Sequence, residues 1–438
     1  MELLEPGGGG AGESKKPEFL MAAVTAVTFD SGIKLYLVEA GGAETETPPS
    51  GTPHWGGGKV YPAVYVREGG TGEVKKLKVK VEWSQMGKAG SAKLKGQTST
   101  GTIVIEGNFS ISGERGTAEV SCEFTKRPSV VANFGSGITF IWTVECSGET
   151  VTATGGNTAI LYFVDAKPLP MNWAYKAHYR KVVDWATSWA SGRMGKAQVL
   201  GAIWGKFSDA GNGARVPHAT GFVYWKTDPT VQDLTTLLQP DGNVSTIGWS
   251  CRAIAHLFME CLAVHGIKCL EVIIEAPHNM GFLVHNWNVD ATPVPNWEKY
   301  PDYYYAGTWG GVWPKEFPVP SSLTRRDASD VPTKQPMKID MLKRPGVPGQ
   351  GQPHAPLYFG NHWIVEVDGS LYDTSYGFKH ANDLTAYAKA SLGGWRVSTL
   401  PDSYTEVVGS ATRRRASRTW TALAIASYTL VRKNGYSN

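Results

Sequence analysis

The sequence predicts a β-rich chain built from two unequal parts, a β-sandwich followed by an α+β domain. The 438 residues include 51 Gly and 16 Trp but only 19% charged residues, a composition that favours β-rich folds over helical bundles. Short β-branched and aromatic segments recur between Phe19 and Ala166 without a helical pattern. After the Pro-containing linker at 167–170, the apolar residues recur at the spacing of a helix rather than that of a strand.

The first part, residues 17–166, is predicted to form an antiparallel sandwich of immunoglobulin-like type. Seven or more strand-like segments follow one another, and residues 76–82 alternate polar and apolar side chains as a half-buried strand does. This part carries no catalytic pattern, so we interpret it as a binding or spacer module for a protein or glycan partner. Residues 1–16, with consecutive glycines at 7–10, are predicted to be a disordered leader.

The second part, residues 171–438, begins with a predicted amphipathic helix at 172–190. Its tryptophan stripe is interpreted as core packing. A short helix is predicted at 231–238, after Asp228-Pro229. A Pro- and aromatic-rich insertion near 292–357 lacks periodicity, and we expect it to border the active-site cleft and to select the substrate.

Composition also excludes several classes of partner. The net charge is +4, and the main basic cluster is three arginines at 413–415, which is typical of a solvated loop, so nucleic acid is not expected. No apolar run approaches the ~18 residues of a membrane span. The start of the chain does not resemble a signal peptide, which leaves either a cytoplasmic location or export by a non-classical or injection route.

The five cysteines form no disulfide framework, although Cys122 and Cys146 could bridge two strands of the first part. Histidines and cysteines also lack the spacing of metal ligands. The sequence therefore predicts no metal and no cofactor.

The segment around Cys251 carries the first chemical signal. Ser250 is a natural N-cap, which places Cys251 in the first turn of a helix that ends at Gly266, before a strand at Leu270–Glu275. The positive end of a helix dipole favours thiolate over thiol, and the unpaired N–H groups there can bind an oxyanion. The alternative is a buried structural cysteine.

The second signal is a predicted hairpin around Asp368-Gly369. A two-residue turn pairs Val367 with Ser370 and places His362 and Asp373 on one face, with Cβ atoms roughly 7 Å apart. A three-residue turn would place them on opposite faces. Cys251, His362 and Asp373 would then act as nucleophile, base and orienting carboxylate. The alternative is an ordinary hairpin that carries His362 and Asp373 on its surface.

Other histidines fit the role of base less well. His256 and His265 lie on the helix of the cysteine itself, at positions that cannot reach its thiol. His285 with Asp290 is a rival pair, but five residues along one strand would put the two side chains on opposite faces. We therefore favour His362.

This pattern resembles the transglutaminase-like superfamily of papain-like thiol enzymes over roughly residues 170–438. The matching residues are Cys251, Ala255, Gly266, Ile267, His362, Trp363, Glu366, Val367 and Asp373. The resemblance implies that Cys251 attacks an amide carbonyl. It also implies that His362 moves the proton from thiol to leaving amine, and that Asp373 holds the imidazole.

The resemblance implies an acyl transfer on protein or peptide amides, with hydrolysis, as in a peptidase or deamidase, favoured over cross-linking to an amine. The sequence departs from the family pattern at three positions. Gly248 lies three residues before the cysteine, Arg252 follows the cysteine, and Thr374 follows Asp373. These departures motivate the alternative of an inactive binding or structural protein. A delivered effector or toxin with the same triad, or a cell-wall endopeptidase, are further alternatives. Trp249 and Trp204 are candidates for the second oxyanion donor.

Overall fold

A computed structural model describes the chain with side chains over several stretches and, for further strands, by backbone alone. Side chains are described at 19–30, 33–39, 43–72, 76–155, 158–170, 178–208, 250–274 and 362–380, and at Leu234, Leu238 and Tyr387. Backbone alone is described at 223–224, 248–249, 275, 281–284, 347–349, 352–355, 358–359, 361, 392–399, 403–408, 411–416, 419–423 and 429–433.

The fold is mostly β-sheet with few helices. The described helices are α1 Arg180–Trp189, α2 Lys196–Trp204 and α3 Cys251–Val264. The strands up to the first helix are β1 Phe19–Phe29, β2 Leu35–Val38, β3 Glu44–Thr47, β4 Trp55–Gly56, β5 Lys59–Val60, β6 Pro62–Thr71, β7 Leu77–Met86, β8 Gly90–Thr98, β9 Val104–Ile111, β10 Arg115–Lys126, β11 Ala132–Cys146, β12 Glu149–Ala153, β13 Thr158–Ala166 and β14 His178–Tyr179. The later strands are β15 Val223–Tyr224, β16 Gly248–Trp249, β17 Leu270–Glu275, β18 Gly281–Val284, β19 Val347–Gly349, β20 Gln352–Ala355, β21 Tyr358–Phe359, β22 Asn361–Val367, β23 Ser370–Asp373, β24 Phe378–His380, β25 Leu392–Thr399, β26 Ser403–Val408, β27 Ala411–Ala416, β28 Thr419–Leu423 and β29 Thr429–Lys433.

Most strands of the first part form one hydrogen-bonded sheet in the order β5-β4-β1-β7-β10-β9-β8-β11-β13-β6, with β12 beside β11, whereas β2 and β3 form a separate sheet in the order β14-β2-β3. The sheet also closes on itself, because the residue that follows β12 hydrogen-bonds strand β1. Val24 N–H donates to the carbonyl of Thr154 at 2.7 Å, and Thr154 N–H donates to that of Ala22 at 3.0 Å. Seven strands are thus linked in a ring, which protects their edges from pairing with other chains. The strand-rich first part is confirmed, whereas its division into an immunoglobulin-like sandwich stays a prediction.

The burial pattern of strand β7 shows that one face of the strand packs into the core while the other faces solvent. Leu77, Val79 and Val81 are fully buried while the lysines between them are exposed, as the alternation predicts. On the neighbouring strands β8 and β11, Gly96 and Trp142 are paired, and a Cβ at Gly96 would collide with the indole of Trp142. Glycine is therefore needed there, because it leaves room for the buried indole ring.

The parallel strands β6 and β13 are buried on both faces and separate two hydrophobic cores. Their residues on the ring side are Ala63, Tyr65, Leu161 and Phe163. Their residues on the other side pack into the core around the helices: Val64, Val66, Tyr162 and Val164. The two predicted parts therefore share a layer, rather than meeting only through a linker.

Asp165, at the end of β13, ties this layer to the helices. Its Oδ1 atom accepts hydrogen bonds from Arg67 Nε and from the N–H of Gly195, both at 2.7 Å. Its own N–H donates to Nδ1 of His265 at 3.3 Å. Nε2 of His265 donates to the carbonyl of Ala186 at 3.2 Å. Burial lowers the pKa of His265 to about 4, so the neutral ring is a structural bridge between elements.

The helix predicted at 172–190 is present from Arg180 onward, and residues 171–177 lie outside the described residues. Trp185 and Trp189 stack in the core with ring centroids 6.2 Å apart, as predicted. Of the helix predicted at 231–238, only two residues, Leu234 and Leu238, are described, and both are buried.

Several other predictions fall wholly or mostly outside the described residues. The leader at 1–16 and the rival pair His285 and Asp290 lie outside them, as does most of the insertion near 292–357. The three arginines at 413–415 lie in strand β27, paired with β26, and not in the predicted loop.

The cysteines Cys122 and Cys146 do not form the bridge that the sequence allowed. All five cysteines are free and buried. Burial raises the pKa of Cys122 to about 12, so its side chain is a thiol that packs as an apolar group.

Candidate active site

Helix α3 positions Cys251 as its first residue. The side chain of Ser250 accepts a hydrogen bond from the N–H of Ala253 at 3.2 Å, which caps the helix as predicted. At the other end Gly266 has φ +73°, and Ile267 N–H donates to the carbonyl of Leu262 at 3.0 Å. This is a Schellman cap, in which glycine adopts the left-handed conformation without strain.

The helix lies inside the protein rather than on its surface. Every residue from Ala253 to Val264 is buried, and the helix packs against strand β22 of the sheet β24-β23-β22-β17-β29. Cys251 itself is 4% exposed. The side chain of Cys251 therefore faces the interior at the positive end of the helix dipole.

The hairpin of β22 and β23 has the predicted register. Val367 pairs with Ser370, and the turn residues Asp368 and Gly369 have φ +49° and +79°. Two consecutive positive φ values are the signature of a type I′ turn, whose twist matches that of antiparallel strands. The two-residue turn keeps His362 and Asp373 on one face, as the sequence predicts.

His362 and Asp373 form a buried hydrogen-bonded pair. The imidazole Nε2 lies 2.8 Å from Oδ2 of the carboxylate, and both side chains have 0% exposure. With Nε2 directed at Asp373, Nδ1 is the ring nitrogen left for Cys251, which is close enough to His362 to contribute to the pKa of the imidazole. The structure thus brings the three predicted site residues together, with a hydrogen bond between His362 and Asp373 and with Cys251 beside the imidazole.

The electrostatic balance at His362 favours the imidazolium. Burial lowers the pKa of His362, but the charge and hydrogen bond of Asp373, together with those of Cys251, raise it more, to about 10. A proton held on this ring faces a sulfur at a helix N-terminus. The arrangement can supply a thiolate nucleophile and an acid for the leaving group at the same time.

Asp373 accepts four hydrogen bonds. Besides that of His362, the hydroxyl of Tyr387 donates to Oδ2 at 2.9 Å. The N–H groups of Ser375 and Tyr376 donate to Oδ1 at 3.0 and 3.2 Å. The carboxylate is therefore fixed in orientation and aims one oxygen at the imidazole.

Sequence reasoning missed these three partners of Asp373. The signal for Ser375 and Tyr376 was present, because an aspartate whose side chain accepts the N–H groups two and three residues later is an Asx turn. Tyr387 lies 14 residues beyond Asp373 and gives no pattern that links the two.

The second oxyanion donor is not identified. Trp204 packs edge-on against Phe258 and Tyr372, with ring centroids 5.6 and 4.9 Å apart, so it belongs to the core. Trp249 lies in strand β16, and its side chain is outside the described ones.

His256 forms a buried pair with Glu271, its Nε2 lying 2.9 Å from the carboxylate. Its ring is therefore directed at strand β17. This contact agrees with the prediction that His256 is not the base.

Within the described residues, no three His, Cys, Asp or Glu side chains are grouped as metal ligands would be. The described helices include none with the length and apolarity needed to cross a membrane. Neither a scan against protein-family models nor a search of curated proteins found a match to this sequence.

Proposed function

We propose that this protein is a thiol enzyme with a transglutaminase-like domain after an immunoglobulin-like β-sandwich. In this proposal it acts on protein or peptide amides through a thioester at Cys251. The observation that carries the proposal is the buried hydrogen bond between His362 and Asp373 beside Cys251, with the pKa of His362 raised to about 10. No cofactor is required for this chemistry.

The acylation step uses all three residues. The Cys251 thiolate attacks the amide carbon, the C–S bond forms, and the carbonyl oxygen becomes an oxyanion near the first N–H groups of α3. The imidazolium of His362 gives its proton to the nitrogen as the C–N bond breaks. The amine leaves, and a thioester with neutral His362 remains, held in place by Asp373.

The thioester is then resolved by an acceptor. His362 takes a proton from water, the hydroxide attacks the thioester carbon, and the C–S bond breaks to give a carboxylic acid and the original ion pair. An amine acceptor would give a cross-link by the same steps. We propose hydrolysis as the outcome, because it needs no second substrate site.

The acyl-enzyme is the species to detect. We expect intact-mass spectrometry after mixing with glutamine-containing peptides to show a covalent adduct on the wild-type protein. Cys251→Ala and His362→Ala should lack the adduct. Cys269→Ala is the matched control, because this thiol is also buried but burial raises its pKa, so the adduct should persist. An adduct on Cys251→Ala would refute the site.

The burial of the triad supports a second candidate, an inactive protein that binds a partner. Cys251 is 4% exposed, and His362 and Asp373 are 0% exposed, so the sulfur is largely covered by other residues. Iodoacetamide separates the two candidates. Selective alkylation of Cys251 near neutral pH supports the enzyme, whereas a thiol that stays unlabelled in the folded protein supports the binding role.

A further inference from the structure

A cavity of about 520 Å³ lies between the first sheet and helix α1. Its polar and aromatic lining comes from both parts of the chain: Tyr36, Tyr162, Tyr179, Arg180, Lys181 and Asp184. None of Cys251, His362 and Asp373 lines it. Ligand sites commonly occupy a junction of this kind, with a few convergent polar groups among apolar and aromatic side chains.

The floor of the cavity is a fixed polar group. The hydroxyl of Tyr162 lies beside Asp184 and Arg180, and the residue is 1% exposed. Burial and the charge of Asp184 raise the pKa of Tyr162 to about 12 despite the opposing effect of Arg180, so the hydroxyl keeps its proton. Asn133 Nδ2 donates to Oδ1 of Asp184 at 3.1 Å. These contacts hold the donors and acceptors of the floor in place before any ligand arrives.

Glycine at position 135 is part of this floor. A Cβ there would collide with Oδ1 of Asp184 and would lie 3.0 Å from the hydroxyl of Tyr162. The backbone of β11 can therefore approach these two polar side chains closely only because Gly135 has no side chain.

The charge of the lining favours an anion. Arg180 and Lys181 are the first two residues of α1, and the first turn contains no acidic residue. Asp184 is the one carboxylate in the lining, and it already accepts a hydrogen bond from Asn133. Among the lining residues, two cations against one carboxylate leave a single positive charge, and the Glu44 carboxylate outside the lining is hydrogen-bonded to Tyr179, so the cavity matches a monoanion better than a dianion such as phosphate.

The walls of the cavity suit an aromatic or apolar body. The Tyr179 hydroxyl donates to Oε1 of Glu44 at 2.6 Å, which fixes the phenol ring as one wall. Tyr36 lines the cavity as well, and Val38 and Leu238 add apolar surface. A planar organic ligand can pack against these neighbouring rings while its charged end stays at α1.

We propose that this cavity is a second binding site, separate from the candidate active site, for a small organic carboxylate with an aromatic body. The carboxylate pairs with the Arg180 guanidinium, whose planar donors suit a bidentate contact, and with the Lys181 ammonium. The ring packs against Tyr36 and Tyr179, which are neighbours on the paired strands β2 and β14. The site takes no part in the acyl transfer proposed above.

Isothermal titration calorimetry on the full chain tests this with phenylacetate and with phenylacetamide, which has the same shape but no charge. We expect phenylacetate to bind at least about tenfold more tightly than the amide, as the loss of a charge-assisted pair implies. Arg180→Gln should remove that difference. Arg193→Gln, at an exposed arginine outside the lining, should leave it intact.

Two further measurements separate this proposal from its alternatives. Binding of phenylacetate should survive in Cys251→Ala, so failure of the proposed catalysis and failure of this site are distinguishable. Arg180→Lys should bind with intermediate affinity because it keeps the charge but loses the planar donors. Absence of binding at millimolar phenylacetate, equal binding of the amide, or unchanged binding in Arg180→Gln would overturn the proposal.

Discussion

At the scale of single residues, the candidate active site depends on how Asp373 is held. A carboxylate that rotates would lose its hydrogen bond to His362, and the imidazole would then be free to turn away from Cys251. Four donors prevent this, and two of them are backbone N–H groups within the same turn. The fourth, the hydroxyl of Tyr387, is the one that a conservative substitution can remove.

We predict that Tyr387→Phe slows acylation of Cys251 by about tenfold, the rate effect of losing one hydrogen bond to a charged group. The ring stays in the core, because the substitution deletes a single oxygen. Single-turnover kinetics of adduct formation measures the effect. Tyr372→Phe is the matched control, since Tyr372 is equally buried but lies on the other face of the hairpin. Equal rates for both variants would show that Tyr387 does not position Asp373.

The raised pKa of His362 predicts a specific pH dependence of stability. The folded protein holds the imidazolium with a pKa of about 10, against 6.5 for an unperturbed histidine. The ion pair therefore contributes fully to the free energy of unfolding below pH 6.5, and this contribution is lost as the pH rises through about 10. In Asp373→Asn the main attraction that holds the proton on His362 is absent. The free energy of unfolding should therefore fall less between pH 6.5 and about 10 than it does in the wild-type protein. Urea unfolding at several pH values measures both curves, and parallel curves would contradict the ion pair.

At the scale of elements, helix α3 depends on its N-cap. We predict that Ser250→Ala lowers the free energy of unfolding by about 1 kcal/mol, because the N–H of Ala253 loses its acceptor in a buried position. Ser250→Thr retains the hydroxyl and should recover most of the loss. Urea denaturation checks the difference, and an unchanged midpoint for Ser250→Ala would show that the cap contributes nothing.

The elements that sequence reasoning predicted well are those with local causes. The cap at Ser250, the stop at Gly266 and the Asp368-Gly369 turn each depend on a few neighbouring residues, so spacing alone predicted the helix and the hairpin register. The contact between Tyr387 and Asp373 depends instead on tertiary packing. The shared layer of β6 and β13 was also missed, because a strand buried on both faces does not show which core each face contacts.

At the scale of the whole molecule, Asp165 joins the first sheet to the helices. We predict that Asp165→Ala costs about 3–5 kcal/mol of unfolding free energy, since it leaves the mostly buried guanidinium of Arg67 without its carboxylate. Glu123→Ala, which breaks an ion pair exposed on both sides, is the control and should leave stability close to wild type. Similar melting temperatures for the two variants would contradict a structural role for Asp165.

The shared layer also predicts that the two parts do not fold separately. A fragment of residues 17–166 would expose Val64, Val66, Tyr162 and Val164, and each large apolar side chain left in water forfeits about 1.5–3 kcal/mol. Exposure of that face should make the fragment bind a hydrophobic dye and aggregate, whereas the full chain should not.

Because β6 and β13 belong to both cores, loss of either core removes support from the other. Calorimetry of the full chain should therefore show one cooperative transition, and two separate transitions would mean that the cores are independent.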